Sequence, residues 1–216
     1  MTKATHCAVL TGDLIKSRQS DTAAVDKTFD VLRHAAQAFG ATWDIDLRFT
    51  RYRGDGWQIV LTKPGLLLDA ALYFVARLKA GQTQIATRIS IGVGASDTLG
   101  TRDLSDATGP AFFVSGDHLA QMGRNRVLCV AGQGIGVEQT AIIDLAEWIA
   151  TGWTATQAEA VAIHLEGQLT RHEDIAETLG VTRQAVQSRL AGAGLSYFDN
   201  ALYAMRNHNY ASDETT

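Results

Sequence analysis

The chain has 216 residues, 46% hydrophobic and 19% charged, and a formal net charge of −4. This length exceeds one typical domain and falls short of two large ones, so a core of roughly 130 residues plus a small module is expected. The acidic balance excludes non-specific coating of nucleic acid, which needs clustered Lys and Arg, and leaves any such contact local.

Apolar runs such as residues 66–68 and 142–145 are far shorter than the ~20 residues a membrane-spanning helix needs, and no signal-like apolar region follows Met1. A soluble, cytoplasmic protein is the expectation. Cys7 and Cys129 lie in the apolar runs CAVL and VLCV, which points to reduced thiols in strands rather than a disulfide or a metal knuckle.

In chain order, residues 6–11 read as a buried strand and 22–39 as an amphipathic helix. Residues 46–53 and 56–61 read as two strands around the turn GDG. Pro64 opens a second helix through residue 79, and 87–94 form another strand. The order β-α-β-β-α-β is that of a ferredoxin-like split unit, an antiparallel sheet with helices on one face. A third helix over 111–122 and a short strand over 127–130 follow. The Gly-rich AGQGIG then marks a boundary. The predicted division is an α+β domain over 1–135, a linking helix over 136–154, a small all-α domain over 155–206 and a polar tail over 207–216. In the all-α part, helices over 156–166 and 172–179 precede Gly180, and Thr182 caps a further helix to about residue 191.

Two carboxylates stand out. Asp13 follows the buried run CAVLTG, so it emerges at a strand end beside Lys16, Ser17 and Arg18, side chains suited to a phosphate. Asp55 sits in the tight turn of RYRGDGWQIVL, in a hairpin beside which the first strand should pair. A plain turn role for Asp55 is the competing reading. Two adjacent carboxylates repel, and a divalent cation such as Mg²⁺ or Mn²⁺, with a nucleotide's phosphates, is the usual way to keep both ionised. His34, His118, His164 and His172 have no ligand spacing. Arg88 reads equally as an ion-pair partner of a neighbouring strand or as a phosphate contact.

The segments TGDLIKSR, RYRGDGWQIVL, TRISIGVG and GPAFFVSGDHLAQM, in that order, resemble the SatD family and, more distantly, the class III nucleotidyl cyclases, over about residues 5–130. The resemblance implies a palm-type fold in which Asp13 and Asp55 hold metal ions. It also implies that the Leu14 carbonyl and the amides of residues 15–17 meet metal and phosphate, and that Arg51 stands where a base-reading Lys would. It implies an Asn and, four residues on, an Arg in the helix after Gly109. This chain has Phe113 and Asp117 there, so turnover is expected to be weak or absent unless Arg124 or Arg126 substitutes.

In the C-terminal part, LTRHEDIAETLGVTRQAVQSRLAGAGL resembles the helix-turn-helix of sigma factor region four. Thr182, Arg183, Gln184, Gln187, Ser188 and Arg189 form a polar face without a carboxylate, able to meet phosphates and base edges of double-stranded DNA. A helical packing module is the plainer alternative. The expected whole is a homodimeric DNA-binding regulator with a nucleotide-sensing or dimerising cyclase-like domain, and the alternative is a metal-dependent nucleotidyl cyclase.

Overall fold

The computed structural model describes residues 5–52, 54–83, 85–101, 103–167 and 171–211. Among them, strands β1 (Thr5–Leu14), β2 (Phe49–Tyr52), β3 (Gly56–Leu61), β4 (Thr87–Ser96) and β5 (Leu128–Gly132) form one sheet in the order β2-β3-β1-β4-β5. Each neighbouring pair among the first four is antiparallel, and β5 adds parallel to β4. This is the split unit expected from the element order, extended by a parallel strand. That strand requires a crossover, which α3 (Pro110–Gln121) supplies.

The side-chain period of β1 sorts its residues between two cores. Ala8, Leu10 and Leu14 face α1 (Thr22–Trp43) and α2 (Leu67–Ala80), together with Phe29, Phe39, Trp57 and Phe74. Cys7 and Val9 face the other way, toward Ala111 and Phe112 of α3. The helices therefore cover both faces, not one as the split unit alone implies. α3 lies close because Gly92 has no side chain: a Cβ there would stand 2.3 Å from the Ala111 carbonyl oxygen.

β2 is shorter than the expected 46–53. Phe49 pairs opposite Ile59, so residue 47 would still face Leu61 and only residue 46 would run past the end of β3. Asp44 leaves α1 in the left-handed region, and Arg48 donates to the carbonyls of Leu99 and Gly100 at 2.9 and 2.6 Å, which holds this segment off the ladder. Arg53 lies outside the described residues, as do 212–216 of the tail and Leu169 and Thr170, the first residues of the expected helix-turn-helix string.

α4 (Val137–Thr151) packs on β5, and α5 (Ala155–Leu165) packs on α2. α6 (His172–Leu179), α7 (Arg183–Gly192) and α8 (Leu195–Asn207) complete the chain. Ala158, Val161, Ile175, Val186, Leu190, Phe198 and Leu202 join the same continuous core as the α1/α2 face of the sheet. Polar ties reinforce this packing. Tyr73 donates to Glu166 at 2.8 Å, Trp153 Nε1 to the Ala193 carbonyl at 2.8 Å, and Arg206 of α8 grips both oxygens of Asp69, which is fully buried in α2.

Candidate functional site

The strand register brings Asp13 beside the hairpin turn. Asp13 is paired with Gly56 on one side and Arg88 on the other, and the Leu14 amide donates to the Asp55 carbonyl at 3.1 Å. Thr11 and Asp13 share the β1 face that turns to α3, as the 2.7 Å hydrogen bond between the hydroxyls of Thr11 and Ser115 attests. Gln58 donates to Thr11 at 2.9 Å, so the sheet carries a polar band on this face between the hairpin and β4.

Within that band the cation beside Asp13 is a side chain. Arg88 Nε donates to Asp13 Oδ1 at 2.9 Å and Nη2 donates to Oδ2, a two-pronged pair with both partners mostly buried. These hydrogen bonds raise the guanidinium's pKa, partial burial opposes them, and the charges of Asp13 and then Asp55 add to the rise. Arg88 thus senses both carboxylates. Asp55 in turn accepts from the Ser17 hydroxyl at 2.5 Å. Thr87, which the sequence did not mark as a site residue, donates its hydroxyl to the Asp13 carbonyl at 2.8 Å and accepts from Trp57 Nε1 at 2.9 Å, anchoring this strand end to the core.

The other residues singled out from the sequence sit as follows. Leu14 buries its side chain in the core. The Ile15 amide is spent on the Ala86 carbonyl at 2.8 Å, so it is not open to a phosphate, contrary to expectation. Lys16 has left-handed backbone (φ 60), and its side chain and that of Arg18 are exposed, with no ion pair among the described residues. Arg51 is a second correction. It faces α1, on the sheet side opposite Asp13, where it pairs with Asp26 at 2.8 Å and lies 4.0 Å over the Phe29 ring. Side-chain alternation along β2 decides this, and a base-reading role beside Asp13 is closed to it.

Phe113 and Asp117 are exposed on α3. Arg126 cannot stand in for a transition-state arginine, because it is bound to Glu147 at 2.7 Å and to Asp144. Arg124 is exposed on the following turn. Cys7 is fully buried, and burial pushes its thiol up to about 11, opposed by a hydrogen bond with Ser96.

These residues, as arranged, do not fit a divalent cation. Both Asp13 oxygens are taken by Arg88, Asp55 is taken by Ser17, and no cluster of three or more acidic, His or Cys side chains exists among the described residues.

The second surface lies on α7. α6 ends at Gly180 in the left-handed region (φ 62), the Val181 amide returns to the Ala176 carbonyl at 3.0 Å, and the Thr182 hydroxyl caps α7 by accepting from the Ala185 amide at 3.1 Å. Val186 and Leu190 are buried, leaving Thr182, Arg183, Gln184, Gln187 and Ser188 exposed. Arg183 makes an exposed pair with Glu173 at 2.6 Å. Arg189 is only partly exposed and is held by Glu159 of α5 at 3.0 Å.

No family model and no curated protein matches this chain. Among solved structures, a bacterial light-regulated adenylyl cyclase aligns with a TM-score of 0.43 and 15% identity, over 59% of this chain and 76% of that one. A second structure of a bacterial light-regulated adenylyl cyclase gives 0.43 and 14%, over 76% of this chain and 58% of that one. The catalytic core of a rhodopsin-guanylyl cyclase with converted specificity, in complex with ATPαS, gives 0.37 and 19%, over 56% of this chain and 76% of that one. At these scores and identities the likenesses assign no activity.

Proposed function

We propose that this protein is a DNA-contacting regulator whose N-terminal α+β domain takes a nucleotide or serves as a dimer platform. The observation that carries the reading is the surface of α7: after a three-residue turn, its exposed face presents Thr182, Arg183, Gln184, Gln187 and Ser188 without a carboxylate. Hydroxyl, amide and guanidinium groups at the start of a helix are the set that reaches base edges while a preceding helix crosses the backbone. The pair between Arg183 and Glu173 is exposed on both sides, so it is weak enough to be exchanged for a phosphate or a guanine. The resemblance of this segment to sigma factor region four supports the same reading.

A cyclase is the weaker reading. Asp13 is bound to Arg88, Arg126 is bound to Glu147, and Phe113 and Asp117 occupy the positions where that chemistry would need an amide and a cation. The test is fluorescence anisotropy of the full chain against duplex DNA from upstream of its own coding sequence and against random duplex. Preference for the former, lost in Arg183→Ala, is the expected result. Equal binding to both duplexes, unaffected by that substitution, rejects the reading in favour of a packing module.

A further inference from the structure

We propose that the outward face of α4 is a docking surface for a second copy of this chain, with Trp148 of each copy seated in a groove of the other. The inner face of α4 is fully used: Gln139, Ile143, Ala146, Glu147 and Ala150 are buried. The outer face carries an apolar stripe edged by the exposed Glu138, Thr140 and Asp144. Val137, Ala141, Leu145 and Trp148 follow one another at intervals of four, four and three, the spacing of a single helical stripe. Val137 is 86% exposed, Leu145 65% and Trp148 80%. A helix already packed on one face that still presents an apolar stripe on the other offers surface for a further packing partner.

The stripe continues onto α8. A Cβ at Gly194 would stand 3.4 Å from Ile149 Cγ2 and 3.6 Å from the Tyr197 ring, so Tyr197, 78% exposed, lies beside the end of α4. Next to Trp148 is a groove of about 400 Å³ walled by Ile149, Thr151, Gly152, Trp153 and Gly192, two of them without side chains. One patch thus offers both a projecting indole and a hole. A two-fold axis through such a patch satisfies both at once, because in an isologous contact each copy presents the same groups to the other.

Charge and area favour this occupant. α4 has no Lys or Arg, which argues against an anionic membrane or nucleic acid. Its Asp144 and Glu147 share the single guanidinium of Arg126, which offsets one of the two charges. Val137, Leu145, Trp148 and Tyr197 together expose on the order of 500 Å² per copy, so pairing would bury about 1,000 Å², the lower bound of a specific interface. Gly192 ends α7, so the seam would join the copies at that end of α7 and leave the Arg183 ends free.

Sedimentation equilibrium of the full chain tests this. The wild type is expected to approach twice 23.2 kDa in the micromolar range. Trp148→Glu and Leu145→Glu should each weaken association at least ~100-fold while the far-UV circular dichroism stays unchanged. Phe113→Ser, on the far side of the sheet and 62% exposed in the wild type, should leave the dimer intact. A chain that is monomeric at 100 μM overturns the proposal. So does a dimer that survives both α4 substitutions, or one that Phe113→Ser dissolves. DNA binding is measured separately, so the regulator reading and this seam can fail independently.

Discussion

Arg88 and Asp13 stand directly opposite each other on neighbouring antiparallel strands, and the guanidinium takes both carboxylate oxygens. A buried carboxylate needs a counter-charge, and here the protein provides it covalently, at the place where two acidic side chains would otherwise attract an ion from solution.

From this pair follows a prediction about cations. Wild-type protein should bind Mn²⁺ weakly, and Arg88→Gln should tighten binding at least ~10-fold, equivalent to about 1.4 kcal/mol, by freeing Asp13. Asp13→Asn in the Arg88→Gln background should abolish the gain. Mn²⁺ titration followed by electron paramagnetic resonance measures all three; equal affinity in wild type and Arg88→Gln would show that the guanidinium does not compete.

Asp69 and Arg206 tie α8 to α2, and Asp69 is fully buried. Burial raises its pKa above the ordinary 3.8, with the hydrogen bonds and charge of Arg206 pulling it back. Because the folded pKa is raised, the folded state binds the proton more tightly than the unfolded chain does. Asp69 therefore costs stability increasingly as pH rises through the interval from 3.8 to its folded value, and acid relieves the cost. Arg206→Met removes the opposing terms and leaves an uncompensated charge, so it should lose about 3–5 kcal/mol at pH 7 and distinctly less at pH 5. Urea unfolding at the two pH values measures the difference; a loss independent of pH would mean that packing of α8, not the charge of Asp69, sets it.

Gly92 permits the close approach of α3 to β4. In Gly92→Ala the new methyl meets backbone, with the Ala111 carbonyl at 2.3 Å and the Ser115 amide at 2.5 Å, so α3 must lift as a unit. A loss of about 3 kcal/mol is expected, together with faster exchange of the amides of α3. Hydrogen exchange that is unchanged along α3 would contradict this account of the contact.

The two arginines of α7 should behave differently on DNA. Arg183 is exposed, and its removal should cost about 1–3 kcal/mol of specific binding and relax base preference. Arg189 is held by Glu159 on α5, so Arg189→Ala should change affinity less than threefold while lowering the melting temperature. Anisotropy titrations at several salt concentrations, with thermal unfolding alongside, separate the two effects. A larger binding loss at Arg189 than at Arg183 would reverse the assignment of the contacting face.

Much of the fold was legible because it depends on local pattern. The buried apolar run CAVL, the turn GDG and the helical spacing of Leu67, Ala71, Phe74 and Leu78 each specify an element from neighbours a few residues away. The order of those elements allows few topologies. Gly180 followed by the cap Thr182 is likewise readable, since a left-handed turn and a side-chain cap are properties of single residues. The strand expected from residue 46 misled because its start is set by Arg48 binding the Leu99 and Gly100 carbonyls, not by its own composition.

What the sequence determined by itself is thus most of the elements, though not α8, their order, and the strand-end and turn positions of Asp13 and Asp55. Partnership was decided only in three dimensions. Arg51 and Arg88 are both basic strand residues near the candidate site. One points to α1 and binds Asp26, while the other points to the α3 face and binds Asp13, because register and side-chain parity assign them to opposite faces of the sheet. The same holds for Asp69 and Arg206, separated by 137 positions and joined through the packing of α8 on α2. A charge finds its partner by the geometry of the folded sheet and helices, which no local stretch of sequence encodes, and that geometry is why Arg88 stands on Asp13.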